Sequence, residues 1–520
     1  MRSPHIRRFG SGRALRWSVG LGLFLLVAFS AFGQTTGTVE GTITDQSNAP
    51  LPGVTVELTG LKLQGTHTAV TGADGHYRFL NLIPGEYTVN ATLTGFGSVQ
   101  KRATVTLDAT STANLQLSLS TSAEVTVTGE APLIDSTSTT SGSNFSGKVV
   151  DKLPMASRNY AAIVLSQPGV QIDNGESQGR SPSGGMAMMT GGGGISVYGS
   201  TSSENSFLID GVNTTNVIKG IQGKDINNEF IQEVEVKTGG YQAEYGRNTG
   251  GVINVITKSG GNEFHGGVFG YYNNLDLAAS QKFDQTQDFN GSMAGQCSSA
   301  SGSCTSNPGS AGNAQLTTIT NKNTRSEGGL DLGGFMVRDR VWFFGAYDRV
   351  STGTEIAPTT GVAAGQNFPS TQTENKYSLK LTLNLAQSTT LQGVYFSDRQ
   401  STTGTISTNP QSFNPFATQG RLDVGGPDYG ARLNQLFGSA GILTLAYGQH
   451  SDRFQTKPDG QNVPQTIDVT PTAAGGVADY YGGFGQIFGP VYNNFSKRQN
   501  YSGSYTGYLG NHEFKAGGDY

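Results

Sequence analysis

In the second half of this chain, short segments of alternating apolar residues are separated by gaps that run long, short, long, short. The segments read as strands over 263–272, 326–337, 341–350, 375–385, 390–399, 428–437, 442–453, 498–508 and 513–520. Between them, 273–325, 351–374, 400–427 and 454–497 are long and polar, whereas 338–340, 386–389, 438–441 and 509–512 are tight turns. An up-and-down barrel in an outer membrane has this asymmetry, with short periplasmic turns and longer extracellular loops. A soluble sandwich has no reason to keep that parity through four successive pairs.

The alternation inside a segment agrees. Tyr377, Leu379, Leu381, Leu383 and Leu385 alternate with Lys376, Ser378, Lys380, Thr382 and Asn384. A period of two sends the first set to one sheet face and the second to the other. In a soluble sheet the apolar face looks inward; in a membrane barrel it looks out to lipid around a polar lumen. A chain that is only 35% hydrophobic suits the barrel. Trp342, Phe343, Phe344 and Tyr347 lie near a strand end, where an interfacial aromatic girdle is expected. The 75 glycines and 14% charged residues fit Gly-rich turns and long polar loops better than a charged cytosolic enzyme. A net charge of −4, evenly spread, gives no reason to expect nucleic acid as a partner.

The start of the chain carries an address. Arg2, Arg7, Arg8, Arg13 and Arg16 form a basic region, Val19–Phe29 an apolar run, and Ala31-Phe32-Gly33 offers small residues for signal peptidase. Residues 1–33 therefore read as a secretory signal peptide, and the absence of cysteine near the cut excludes a lipoprotein anchor. No later stretch approaches the roughly 20 apolar residues of a spanning helix. An exported membrane protein without such helices crosses as a closed barrel, because lipid leaves no other way to satisfy its backbone. Cys297 and Cys304 sit in a Ser/Gly-rich stretch of the first long loop. In an oxidising compartment this pair reads as one disulfide; metal binding is the competing reading, and no histidine lies nearby to support it.

Two units precede the barrel. Residues 35–120 show short alternating strands around Val39 and Ile43, Val54–Leu58, Tyr77 and Phe79, and Tyr87–Leu93, with turn chemistry at Asp74-Gly75 and Pro84-Gly85. A small all-β sandwich follows. Its segments Gly41–Asp45, Pro52–Val56, Thr71–Phe79 and Leu82–Val89 resemble the carboxypeptidase regulatory-like domain. That resemblance implies a transthyretin-like sandwich without protease machinery. None of the six histidines begins a His-x-x-Glu pair, so no zinc peptidase site is expected, and His76 reads as a surface turn residue.

Residues 141–261 form the second unit, an expected α/β domain. Ser157 precedes Arg158–Ser166 and Pro168-Gly169 follows, which predicts a short capped helix with a stop. Gly184–Gly194 leads into Ile195–Gly199, then Phe207–Val212, Ile231–Val236, Gly239–Arg247 and Gly250–Gly261. These segments resemble the plug domain of a TonB-dependent outer-membrane receptor, which fills the lumen of its barrel. Asp210-Gly211, Gly250-Gly251 and Asn254 are the plug-motif residues; locally, Asp210-Gly211 also reads as a simple turn and Gly250-Gly251 as a close backbone approach. Glu244 and Arg247 read either as a bridge to the barrel wall or as a solvated loop pair. Many siderophore receptors carry Arg-Gly where this chain has Tyr198-Gly199, which brings it nearer to Oar-like receptors.

Between the two units, residues 121–140 are a Ser/Thr-rich linker. Its Glu124, Val125, Thr126, Val127 and Thr128 resemble a TonB box, the segment the periplasmic energiser grips by strand addition; the other reading is the last strand of the sandwich or a plain linker. The whole chain is thus expected to be mainly β: signal peptide, sandwich, linker, plug, and the N-terminal part of a transmembrane antiparallel barrel over 262–520. Nine candidate strands do not close a barrel of even strand number, so a longer receptor is expected. The resemblance implies an importer of a bulky, scarce substrate, seated in outer-membrane lipid and partnered by TonB. Loops low in charge and rich in Asn, Gln, Ser, Gly and Tyr favour a neutral glycan or peptide ligand. No cofactor, metal or catalytic residue is expected. An adhesin or structural surface barrel is the main rival, and a secreted enzyme, for which no convergent nucleophile, carboxylate pair or metal set is visible, the remote one.

Overall fold

The computed structural model describes residues 35–60, 63, 67–119, 125–128, 140–152, 158–173, 194–217, 220–246, 248–274, 297–298, 303–304, 319–358, 368–405, 419–458, 493–509 and 512–520. The signal segment, Glu124, Ser157 and Arg247 lie outside these residues.

The first unit is a two-layer sandwich. One sheet joins β1 (Gly37–Thr44) to β4 (His76–Leu82) and, in parallel, to β7 (Thr110–Thr112) and β8 (Leu115–Gln116). The other runs from β3 (His67–Val70) through β2 (Thr55–Thr59), β5 (Gly85–Thr92) and β6 (Ser98–Val105) to β9 (Val125–Thr128). Alternate residues turn inward, so Val39, Ile43, Val56, Leu58, Val89 and Ala91 close a dry core between the sheets.

The plug sheet has the order β10 (Ser141–Ser146), β15 (Ile231–Gly239), β16 (Val252–Thr257), β13 (Ser206–Ile209) and β14 (Val212–Asn213). A separate hairpin pairs β11 (Val170–Asp173) with β12 (Gly194–Val197). Two short helices, α1 (Gly147–Val150) and α2 (Tyr160–Leu165), complete the unit. The cap of α2 is Asn159, whose side chain accepts from Ala162 N at 3.2 Å, rather than the Ser157 expected from sequence. Every residue of β16 is buried, because this strand runs through the middle of the unit.

The third unit is a ten-stranded, antiparallel wall. It contains β17 (His265–Asn274), β20 (Ile319–Val337), β21 (Val341–Pro358), β22 (Phe368–Ala386), β23 (Thr389–Thr405), β24 (Gln419–Val424), β25 (Pro427–Leu436), β26 (Gly441–Pro458), β27 (Asn493–Leu509) and β28 (His512–Asp519). Within the first long loop a small ladder pairs β18 (Cys297–Ser298) with β19 (Ser303–Cys304) and sets Cys297 opposite Cys304 in the backbone.

Burial on the wall is inverted relative to a soluble sheet. On β22, Leu379 and Leu385 are 52% and 60% exposed, while Lys376 and Lys380 are 5% and 4% exposed. The apolar face thus looks outward and the polar face looks into the lumen, as lipid demands. Among the described residues no helix is long and apolar enough to cross a membrane.

Three expectations are corrected. The strands are longer than their apolar repeats, reaching 19 residues in β20 and β22. A membrane strand needs only about 9–11 residues, and beyond the bilayer the outer face has no reason to stay apolar. The stretch 400–427 is not all loop, because β24 lies within it, paired to both β23 and β26. Finally, Trp342 and Phe344 do not join an outer girdle; both are fully buried on the lumen side, and Trp342 Nε1 donates to Asn262 Oδ1 at 2.9 Å.

Candidate functional site

The site is the surface along which the plug meets the inner face of the wall. Its apolar part is shared: Phe344, Ala346, Val394 and Phe396 of the wall belong to the same buried cluster as Tyr160, Phe207, Val234 and Val255 of the plug. Around this cluster runs a belt of buried charge, contributed by plug loops and by lumen-facing strand positions.

The first group centres on Asp210. With Asp210 at φ 48° and Gly211 at φ 79°, the chain turns tightly from β13 to β14, a geometry that Asp and Gly tolerate. The Asp210 carboxylate accepts from Thr257 N at 3.1 Å, Thr257 Oγ1 at 2.6 Å and Lys380 Nζ at 2.7 Å. Lys380 also donates to Thr257 O at 2.8 Å, so one wall lysine clasps both the turn and the end of β16. The turn reading of Asp210-Gly211 was therefore correct but incomplete.

The second group gathers on the plug segment 214–228. Lys224, fully buried, donates to Asp398 Oδ1 at 3.2 Å, Gly426 O at 2.9 Å and Ser451 O at 2.9 Å. Asp428 and Asp452 each approach it to 3.7 Å. Burial works against the charge on Lys224, but the surrounding carboxylates outweigh it and hold its pKa above the ordinary lysine value. His450 lies between those carboxylates, with Nδ1 2.7 Å from Asp428 and Nε2 2.9 Å from Asp452, and Asn216 donates to Asp452 at 2.8 Å. The ladder is interrupted between β24 and β25 at Gly425-Gly426 without a change of register against β23 or β26, and there the Gly426 carbonyl accepts from Lys224.

Asp225, next in sequence, pairs with Lys376 at 2.6 Å and its amide donates to Asp398 Oδ2 at 3.1 Å. Burial raises the Asp225 pKa to about 6, opposed by Lys376 and assisted by Glu374. Asn227 donates to both Glu327 at 2.9 Å and Asp348 at 2.8 Å. Arg158 pairs with Glu229 and with Glu327, and its guanidinium stacks 3.7 Å from the Tyr271 ring centre. Toward the other edge, Arg498 donates to Asn213 O and Oδ1 at 2.6 and 2.7 Å, and Lys515 pairs with Glu244. Glu244 thus bridges to the wall, one of its two sequence readings.

The remaining plug-motif residues hold the plug together. A Cβ at Gly250 would lie 2.4 Å from Asn205 Oδ1, and one at Gly251 2.7 Å from Val197 Cγ2, so both glycines mark close approach of β16 to its neighbours. Asn254 is fully buried and reaches Glu235 at 3.5 Å. At the sandwich end, Leu107 N donates to Glu233 Oε1 at 3.0 Å, Lys237 bridges Asp108 and Glu235, and Arg432 donates to Thr35 Oγ1 at 2.7 Å. The sandwich is thereby docked against plug and wall, beside a cavity of about 540 Å³ bordered by Thr35, Tyr87, Asp210 and Lys380.

Sequence reasoning did not single out Lys224, Asp225 or Asn227. The alternation in β22 placed Lys376 and Lys380 on the lumen face, so unmatched lumenal cations were the available signal for plug carboxylates opposite them. Among the described residues no His, Cys, Asp and Glu cluster has the makings of a metal site.

The geometry accords with known proteins. Residues 38–118 match the carboxypeptidase regulatory-like domain and residues 134–252 match the TonB-dependent receptor plug domain. The chain is 32% identical over 334 residues to the TonB-dependent transporter Oar of Myxococcus xanthus, a match covering 62% of this chain and 27% of that protein. It thus spans about a quarter of that relative's length. The outer membrane transporter YddB from Escherichia coli shares the fold with a TM-score of 0.50 at 15% identity, over 73% of this chain and 47% of that one. A mutant ferric enterobactin receptor from Pseudomonas aeruginosa overlays with a TM-score of 0.45 at 16% identity, over 72% of this chain and 47% of that one.

Proposed function

We propose that the chain is a TonB-dependent outer-membrane receptor, a reading supported by its two matched domains and its similarity to Oar, and that it imports a bulky, scarce solute by plug movement driven through TonB. The observation that carries this reading is the belt of buried ion pairs between plug and wall. A lumen filled by a domain that shares its core with the barrel does not pass a bulky solute by diffusion, so passage needs work done on the plug. Ionic contacts suit a seal that must open. When parted into water, each charge is solvated, whereas a wholly apolar seal would expose hydrocarbon.

In this reading the ligand docks on the outer face of the plug and on the extracellular loops, whose low charge favours a neutral glycan or peptide. TonB grips Glu124–Thr128 by strand addition from the periplasm. Cys297 and Cys304, opposite one another in their small ladder, close a loop by a disulfide. No bond of the solute is made or broken, and no residue is assigned a catalytic role.

Cysteine crosslinking from Val125→Cys and Val127→Cys to the periplasmic domain of TonB tests the proposal in membranes carrying the receptor. Register-specific crosslinks that rise with a nutrient extract are expected. Their absence at both sites, with the barrel inserted, would overturn it in favour of an adhesin or structural barrel.

A further inference from the structure

The sandwich sheet ends in β9, and β9 contains most of the segment proposed to engage TonB. Its backbone pairs in parallel with β6, setting Ser98 opposite Val125, Val99 opposite Thr126, Gln100 opposite Val127 and Lys101 opposite Thr128. Among the described residues it has no second partner strand in that sheet. We propose that the regulatory-like sandwich is a latch in cis: the edge of β6 stores the TonB-binding strand and competes with TonB for it. The inference rests on the reading of Glu124–Thr128 as the segment TonB engages, and adds to it what holds that segment when TonB does not.

Three observations support the latch. Strand addition uses main-chain donors and acceptors, so any free sheet edge of the right length is a competitor for an extended Val-Thr-Val-Thr segment. The pairing is four residues long and lies at an edge, so, unlike the inner strands of its sheet, β9 can part by breaking a single short ladder. The sandwich is itself fixed to the plug through Lys237–Asp108 and the Leu107 amide on Glu233. The edge of β6 is therefore held near the plug, and a shift of the plug on ligand binding reaches that edge through buried contacts. A segment that is competent only when released binds with an affinity reduced by the released fraction.

The test uses the whole receptor in nanodiscs, the TonB periplasmic domain, and a peptide covering residues 122–131. In the native receptor, amide exchange at Val125–Thr128 is expected to be slower than in the peptide. TonB affinity for the native receptor is expected to be lower than for the peptide by about tenfold or more. In the double variant Gln100→Cys with Val127→Cys, oxidation should abolish TonB binding and reductant should restore it. Equal exchange in receptor and peptide, or failure of the cysteine pair to close, would remove the strand pairing and overturn the latch. An oxidised variant that still binds TonB would also overturn it, showing that TonB adds to the outer edge of β9 without release. A peptide that does not bind TonB would defeat the reading of the segment itself, an outcome distinct from the others.

Discussion

Lys224 faces Asp398, Asp428 and Asp452 from a fully buried position, so its removal leaves carboxylates without a cation rather than merely deleting a contact. Breaking a buried pair in this way costs about 3–5 kcal/mol. Lys224→Met is accordingly expected to loosen the plug while leaving the barrel inserted, read as protease cleavage within 214–230 at protease levels that spare the native receptor. Glu235 supplies a pH dependence at the sandwich–plug joint. Burial raises its pKa from 4.5 to about 8; Lys237 opposes the shift and Asp108 and Glu233 reinforce it. A group whose folded pKa lies above its unfolded one stabilises the folded state fully below pH 4.5 and loses that contribution as pH rises through about 8. The joint should thus weaken across that window, and Glu235→Gln should flatten the dependence, as followed by limited proteolysis between sandwich and plug. Individual roles of this kind were largely illegible in the sequence. Asp210 read as a turn residue because its partners, Thr257 and Lys380, lie 47 and 170 positions away.

At the scale of elements, the close approaches around β16 are the most exacting. Gly250→Ala would press a methyl group on Asn205 Oδ1 and Ser200 Oγ, which a Cβ would meet at 2.4 and 2.6 Å. Overpacking of this kind costs about 1–3 kcal/mol. The expected result is a plug that unfolds at lower denaturant with unchanged barrel heat-modifiability on gels; an unaltered plug midpoint would show that the neighbours give way freely. Element type was legible wherever a face had to be apolar, because period-two alternation in β22 or β5 is imposed by lipid or core. Extents were less so. The distal halves of β20–β23 carry no such pattern, since polar residues on both faces suffice outside the bilayer; β24 does alternate, Arg421 and Asp423 with the buried Leu422 and Val424, but over too few residues to stand out from a loop. Trp342 and Phe344 were misplaced for a related reason: alternation assigns residues to two faces but does not say that an apolar plug covers part of the lumenal one.

For the whole molecule, sandwich, plug and wall follow one another along the chain and pack as one mechanical series. On the proposed mechanism, a pull applied at β9 would pass along the chain to β10, whose pairing with β15 leads to β16 and the Asp210 turn. The order of units was legible from motifs, whereas their docking depends on single contacts between distant segments. Val212 offers the most direct way to stop the series. It lies at the start of β14, where the wall makes room with Gly430 and Gly448, and a Cβ at Gly448 would lie 3.3 Å from Val212 Cγ1 and 3.7 Å from its Cα. Cysteines at these two positions fall within disulfide reach. The measurement is energised uptake by cells carrying Val212→Cys with Gly448→Cys, before and after reduction, alongside TonB crosslinking at Val125→Cys. Movement of the plug against the wall predicts that the oxidised receptor still crosslinks to TonB but takes up no solute, and that reductant restores uptake. Undiminished uptake through the locked plug would contradict the account.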